Sequence, residues 1–110
     1  VATLAGTAAY LAPEVLMGAP PGPAVDLWGL SVVVLEALIG RYPFRRAADA
    51  HEIDRAVRLD LPRLPLTLDQ VRRLTAFFDR ALAREPERRL LTSQELESAL
   101  ASVSEACLVA

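Results

Sequence analysis

Side chains that commonly perform catalysis are sparse in this 110-residue chain. It contains one histidine, His51, one cysteine, Cys107, and 14 acidic residues. These do not make a zinc site, and no carboxylates cluster at the spacing that metal ligands need. A serine or cysteine triad lacks support, because there is no GxSxG turn and His51 is expected on a helix surface. We therefore predict no metal site, and these residue types alone select no catalytic set.

Phosphate-binding loops are also missing, since the sequence contains neither GxGxxG nor the Walker lysine motif. The formal net charge of −2 favours neither a nucleic acid nor an anionic membrane. The longest apolar run, Leu27 to Ile39, contains Glu36 and is shorter than the roughly 20 residues that a membrane span needs. We expect no nucleic-acid partner and no membrane segment in this chain. The lone cysteine and the absence of a secretory leader fit a cytoplasmic protein, whose parent could carry a membrane anchor outside this chain.

One stretch differs from the Ala- and Leu-rich remainder. GTAAYLAPE, from Gly6 to Glu14, combines Gly, Thr, Tyr, Pro and Glu within nine residues. Pro13 suits the first turn of a short helix, which we expect to end near Met17. The Gly- and Pro-rich segment at 18–23 then predicts a loop. The pattern indicates an irregular segment followed by a short helix.

The apolar run that follows predicts a helix of about 14 residues. Asp26 can cap its first turn, and Gly40 stands where a C-cap is expected. Apolar side chains occur on every side of this helix, which is typical of a helix enclosed by its neighbours.

Two later helices carry clear start signals. Thr67 with Gln70 and Thr92 with Glu95 each form the pattern of a capping box before residues with helical spacing. A weaker helix is expected at 48–58, before a connector rich in proline. The arginines of the helix after Thr67 are expected to form a solvated face: Arg72, Arg73 and Arg80. No strand is evident, so we predict a mainly α fold of about five helices with no sheet.

The order of the motifs along the chain is more specific than any one of them. GTxxYxAPE is followed by DxW at Asp26, by ExxxG ending at Gly40, by a Pro-Phe pair, and later by REPERR. This ordered set resembles the C-terminal half of the catalytic domain of Ser/Thr protein kinases, in which APE is a signature element. The resemblance extends over nearly the whole chain. It implies the helical part of the large lobe, truncated, with a partial kinase domain at 1–104 and a tail at 105–110.

The resemblance assigns the first loop to the protein substrate. Gly6 and Thr7 would lie beside the phospho-acceptor, and the Thr7 hydroxyl would contact the catalytic aspartate, which this chain does not contain. By the same resemblance, a threonine at this position implies specificity for serine and threonine. Tyr10 would pack the loop onto the helices, and Thr3 lies where the family often has an activation-loop phosphorylation site.

Other positions resemble the structural residues of the family. Glu14 would pair with Arg89, with Arg88 as the alternative partner. Asp26 would accept hydrogen bonds from backbone amides of the catalytic loop. The other interpretation is that Asp26 only caps the helix that follows it. Pro13 and Trp28 are also predicted to be structural residues, since both belong to the matching motifs. Val33 and Ala37 fall where the family's central helix supports the adenine site.

The family's Gly-rich loop, strand lysine, HRD segment and DFG aspartate do not occur in this chain. All precede GTxxYxAPE in the family's order, so we expect a chain that begins within the activation segment. Its parent would use ATP and magnesium, and the chain alone would bind neither. Its partners would be a protein substrate and the missing N-terminal part of the kinase domain. The Ala, Leu and Arg bias suggests a bacterial source.

Two other functions stay open at this point. The chain could come from a kinase-like scaffold that never performed catalysis, which upstream HRD and DFG motifs would argue against. It could also be an unrelated helical domain that binds proteins through its arginine-bearing helix.

Overall fold

Five α-helices make up most of the structure, a computed structural model that describes residues 10–44, 49–89 and 91–109. In chain order they are α1 Pro13–Leu16, α2 Pro23–Ile39, α3 Ala50–Arg55, α4 Leu68–Ala81 and α5 Ser93–Val109. No strand occurs among these described residues, so the mainly α fold class is confirmed. The domain boundary expected after residue 104 lies inside α5.

Helix α2 begins one turn earlier than the sequence suggested. Its N-cap is Gly22 and its first residue is Pro23, whose fixed φ suits the first helical position. Asp26 therefore lies within the first turn, and its interpretation as the N-cap is wrong. The helix has 17 residues instead of about 14. It ends as expected at Gly40, which has a φ of 80° and donates its N–H to the Glu36 carbonyl.

Helix α2 has one buried face and one exposed face. The buried face contributes Trp28, Val32, Leu35 and Leu38 to the core. On the other face, Leu30 and Val33 are 46% and 49% exposed. Within the described residues, the neighbouring elements therefore cover only part of this apolar helix. The exposed α2 stripe, defined as Asp26, Leu30, Val33 and Ala37, follows helical spacing along this face.

Helix α3 is short and continues in other helical forms. Asp49 caps it by accepting hydrogen bonds from the backbone N–H groups of His51 and Glu52. A π-helical segment at Ala56–Asp60 and a 3-10 helix at Leu61–Arg63 follow directly. The connector that the sequence suggested is thus partly helical. Ala56, Val57 and Leu61 are fully buried, and their burial holds this segment in the core.

Helices α4 and α5 begin with the predicted capping boxes. The Thr67 hydroxyl accepts from the Gln70 N–H at 3.1 Å, and the Gln70 side chain accepts from the Thr67 N–H at 2.9 Å. Thr92 and Glu95 make the same reciprocal pair. The two helices pack against each other, and the α4 residues that face the core are Leu74, Phe77, Phe78 and Ala81.

The arginines of α4 lie on its exposed side, as expected of a solvated face. Arg73 pairs with Asp69 on the same helix, and Arg80 pairs with Glu95 on α5. Arg72 is also exposed. No helix in the described ranges is long and apolar enough to cross a membrane.

The capping box of α4 provides a test of the local structure. We expect Thr67→Ala to lower the free energy of unfolding by about 0.5 to 2 kcal/mol, because the Gln70 N–H loses its acceptor. Chemical denaturation measures this difference. Gln94→Ala, at an exposed position of α5, is the control and should change stability by less than about 0.5 kcal/mol. Equal losses in the two variants would contradict the capping role.

Candidate functional site

The structure brings three of the predicted site residues together and leaves others apart. Glu14, Trp28 and Arg89 meet in the interior. Tyr10 contacts a different partner on α2, and Asp26 lies in the exposed α2 stripe. Pro13 begins α1 and is buried. Three further predicted positions lie outside the described residues: Thr3, Gly6 and Thr7.

The contact between Glu14 and Arg89 joins residues 75 positions apart. Arg89 Nη1 donates to Glu14 Oε2 at 2.7 Å, and Nη2 donates to Oε1 at 2.8 Å. This is the bidentate geometry in which a planar guanidinium matches a carboxylate. The Arg89 side chain is fully buried and that of Glu14 is 17% exposed. The pair is therefore shielded from the solvent screening that weakens surface ion pairs.

The remaining donors of Arg89 are also satisfied. Nε donates to the Ala83 carbonyl at 2.6 Å, and Nη2 also donates to the Arg84 carbonyl at 2.9 Å. A longer bond of 3.4 Å joins Nη1 to the carbonyl of Ala24. The guanidinium carbon lies 4.8 Å from the centre of the Trp28 ring, within the range of a cation–π interaction. Arg89 thus joins α1, the start of α2 and the chain that follows α4.

Arg88, the alternative partner of Glu14, has a different role. It is exposed and pairs with Glu85 at 3.1 Å. The 3-10 turn at Pro86–Arg88 directs the next residue, Arg89, into the interior. One step along the chain thus separates a surface arginine from a buried one.

Local sequence explains how Glu14 reaches Arg89. Pro13 begins α1 and is buried, so the first turn lies against the core. Glu14 therefore occupies the first turn, where the helix dipole favours a negative charge. Hydrogen bonds from Arg89 lower the pKa of Glu14, and this effect outweighs the raising effect of partial burial.

Tyr10 has a partner that the sequence analysis missed. Its hydroxyl donates to Glu36 Oε1 at 2.6 Å, which ties the chain just before α1 to the middle of α2. Hydrogen bonding to Glu36 raises the pKa of Tyr10, because the bond favours the protonated phenol. Glu36 is the only charged residue between Leu27 and Ile39, and this isolation was the available signal.

Aromatic rings extend the contact around Tyr10. Its ring meets Tyr42 edge to face at 5.6 Å between centroids, and Tyr42 meets Phe44 in the same way at 5.3 Å. Burial raises the pKa of Tyr42 to about 12, with smaller contributions from Tyr10 and Glu36. Both phenols therefore stay neutral near pH 7, and the Tyr10 bond to Glu36 persists there.

Gly29 and Ser31 are small residues of α2, and Gly29 lets the Tyr10 segment approach closely. A Cβ atom at Gly29 would lie 3.4 Å from the Tyr10 carbonyl oxygen. Ser31 is fully buried, and its hydroxyl donates to the Leu27 carbonyl at 2.7 Å. The serine thus satisfies its own polar group within the helix.

Asp26 points to no partner within the described ranges. Its side chain is exposed and makes no hydrogen bond there, so the carboxylate remains an available acceptor. It shares the exposed α2 stripe with the apolar Leu30 and Val33. Such a mixed surface can pack against a further segment that brings hydrogen-bond donors and apolar groups.

The described residues do not fit a magnesium site. No three of their His, Cys, Asp or Glu side chains gather closely enough to hold a metal ion. The role available to these residues is positional, since the ion pair and the Tyr10 contact hold the chain from Tyr10 to Glu14 against the helices.

The fold and the site together define a helical scaffold in which a buried ion pair holds the short helix α1 against the core. The chain belongs to the protein kinase domain family, which matches residues 1–100. No solved structure matches it significantly.

Curated relatives include several Ser/Thr protein kinases. The Drosophila melanogaster serine/threonine-protein kinase PAK mbt is 33% identical over 94 residues, which cover 86% of this chain and 15% of the relative. The Caenorhabditis elegans 3-phosphoinositide-dependent protein kinase 1 is 35% identical over 94 residues, covering 86% and 14%. The mouse protein kinase C delta type is 33% identical over 88 residues, covering 80% and 13%. The chain thus spans a small part of these relatives.

Removal of Arg89 tests the buried ion pair. We expect Arg89→Ala to lower the free energy of unfolding by about 3 to 5 kcal/mol, because Glu14 and two backbone carbonyls lose their donors in the interior. The control Arg72→Ala removes an exposed arginine and should stay within about 0.5 kcal/mol of the wild type. Thermal or chemical denaturation distinguishes them. Equal melting temperatures for the two variants would refute the role of the pair.

The lowered pKa of Glu14 predicts an acid dependence of stability. The ionised form is favoured in the folded state, so its contribution is full above the unfolded pKa, near 4.5, and is lost as the pH falls through the lower folded value. Glu14→Gln removes this titration. Unfolding measured from pH 7 downward should show the stability advantage of the wild type shrinking below about pH 4.5. A difference that stays constant with pH would contradict this linkage.

Proposed function

We propose that this chain is the C-terminal, large-lobe part of a Ser/Thr protein kinase. The complete polypeptide would transfer the γ-phosphate of ATP to serine or threonine hydroxyls of proteins, with magnesium as the metal. The order of the motifs and the names of the relatives support this assignment. The observation that carries it is the buried pair of Glu14 and Arg89, because it anchors the APE segment from a position 75 residues away.

The proposed role of the chain itself is to position the protein substrate. Glu14 holds the start of α1, and Tyr10 is tied to Glu36 on α2. These two contacts would give the proposed substrate loop at Gly6 and Thr7 a fixed end. Thr7 would then contact the catalytic aspartate of the complete kinase, and Thr3 is proposed as a phosphorylation site.

The exposed α2 stripe is proposed to contact the rest of the kinase domain. Leu30 and Val33 are about half exposed, and Asp26 has an available carboxylate. An N-terminal part of the kinase domain would cover this surface and supply donors to Asp26. The partial domain would end near residue 104, and we propose a bacterial source and a cytoplasmic location on composition alone.

A phosphorylation assay tests the proposed function. We expect the full-length polypeptide to transfer phosphate from ATP with magnesium to a serine- or threonine-containing peptide. Thr7→Ala should lower kcat/KM about 100-fold, because a small displacement of the substrate is costly in phosphoryl transfer. Ser98→Ala, an exposed position on α5, is the control and should leave kcat/KM unchanged.

The opposite outcome defines the rival function. A full-length polypeptide that transfers no phosphate and lacks upstream HRD and DFG motifs would be a kinase-like scaffold. The 110-residue chain alone should not bind ATP at micromolar concentrations, and binding at that level would contradict the proposed division of roles.

A further inference from the structure

The segment that leads from α1 into α2 contains three of the eight prolines of the chain. We call residues 18–23 the proline loop. Its prolines are all exposed: Pro20, Pro21 and Pro23. No charged residue occurs from position 15 to position 25. The proline loop therefore presents a neutral and largely apolar surface to solvent.

Backbone hydrogen bonds hold the proline loop at both ends. On leaving α1 the chain turns at Gly18, whose φ of 99° lies in the region that favours glycine. The Ala19 N–H donates to the Glu14 carbonyl at 2.8 Å. At the other end, the Gly22 carbonyl accepts from the Asp26 N–H at 3.0 Å. The two adjacent prolines between these bonds therefore project from a defined position.

The backbone of Pro20 and Pro21 can only accept hydrogen bonds. A proline ring takes the place of the N–H group and fixes φ at about −65°. Its steric bulk also directs the preceding residue, here Ala19 or Pro20, toward extended or polyproline II geometry. No hydrogen bond joins the carbonyl of either proline to another described residue. The pair thus offers two apolar rings and two acceptors.

The pattern PxxP occurs twice in the chain, and the structure distinguishes the two occurrences. The first spans residues 20–23 and the second spans residues 62–65. The second overlaps a 3-10 helix at Leu61–Arg63, in which Leu61 is fully buried, and Leu64 packs against the core. Polyproline II ligands are extended and solvated instead. The proline loop is therefore the occurrence that the fold presents for recognition.

Tyrosine and tryptophan side chains of a partner match these groups. Each brings a flat apolar ring that can cover a proline ring, and an O–H or N–H group that can donate to a carbonyl. A partner that relies on ion pairs finds no charge between positions 15 and 25. Prolines are also rigid before binding, so their ordering costs little entropy. SH3, WW and EVH1 domains bind PxxP segments in aromatic-lined grooves of this kind.

We propose that the proline loop is a docking site for a protein domain with an aromatic-lined, proline-binding groove. The rings of Pro20 and Pro21 would pack between aromatic side chains of the groove. Their carbonyls would accept hydrogen bonds from its tyrosine and tryptophan donors. Met17, which is 82% exposed, would extend the apolar contact on the α1 side. This docking requires no phosphoryl transfer, so it stands or falls separately from the proposed function.

Direct binding measurements test the proposal. Purified SH3, WW and EVH1 domains are passed over the immobilised full-length polypeptide, and surface plasmon resonance gives each Kd. We expect at least one domain to bind, and replacement of the tryptophan in its groove by alanine to remove the binding. No binding by any of these domains would overturn the proposal and indicate that the prolines only shape the connection between α1 and α2.

Matched proline substitutions locate the binding. The double variant Pro20→Ala/Pro21→Ala should weaken binding about 10-fold, because two apolar rings and the restricted backbone are lost. The control Pro62→Ala/Pro65→Ala makes the same change at the other PxxP, where both prolines are also exposed, and should leave Kd unchanged. Equal Kd values for the two double variants would refute this location.

A single charge in the proline loop gives an independent check. Pro21→Glu keeps Pro20 and introduces a carboxylate at an exposed position, so folding should be retained and the melting temperature should stay close to that of the wild type. The carboxylate would have to lose water inside an apolar groove, so binding should be lost. A folded Pro21→Glu variant that binds as tightly as the wild type would overturn the proposal.

Discussion

The buried ion pair between Glu14 and Arg89 is the interaction on which the other contacts depend. A carboxylate and a guanidinium removed from water are stable only when each finds its partners, and here both oxygens of Glu14 meet donors. Arg89 also binds the carbonyls of Ala83 and Arg84, so it unites the first helix with the chain after α4. Loss of either partner would leave an uncompensated charge inside a small core.

A second contact limits the orientation of the same segment. The ion pair at Glu14 holds the start of α1. Tyr10, which lies four residues before Glu14, is held by its hydrogen bond to Glu36. The first contact is ionic and the second is a hydrogen bond from a phenol that stays protonated near neutral pH. Both ends of the stretch from Tyr10 to Glu14 are attached to the helices. The proposed substrate loop, which precedes Tyr10, would therefore end at a defined position.

Helix α2 connects the ion pair and the Tyr10 contact, because Trp28 and Glu36 both lie on this helix. The guanidinium of Arg89 lies over the ring of Trp28, so the buried side of α2 supports the ion pair. The exposed α2 stripe carries apolar residues and an available carboxylate. A helix with such a surface suits the centre of a larger domain, which agrees with membership of the protein kinase family.

The sequence by itself determined the mainly α class, the C-cap at Gly40 and both capping boxes, because these depend on residues a few positions apart. It did not determine the start of α2, because the helix begins at Pro23, three residues before Asp26. Glu14 and Arg89 were paired only through a family resemblance, since their side chains reveal no partner at a separation of 75 residues. The contact of Tyr10 with Glu36 was decided by tertiary structure alone. Such contacts depend on how helices distant in sequence pack together, and no local pattern encodes that packing.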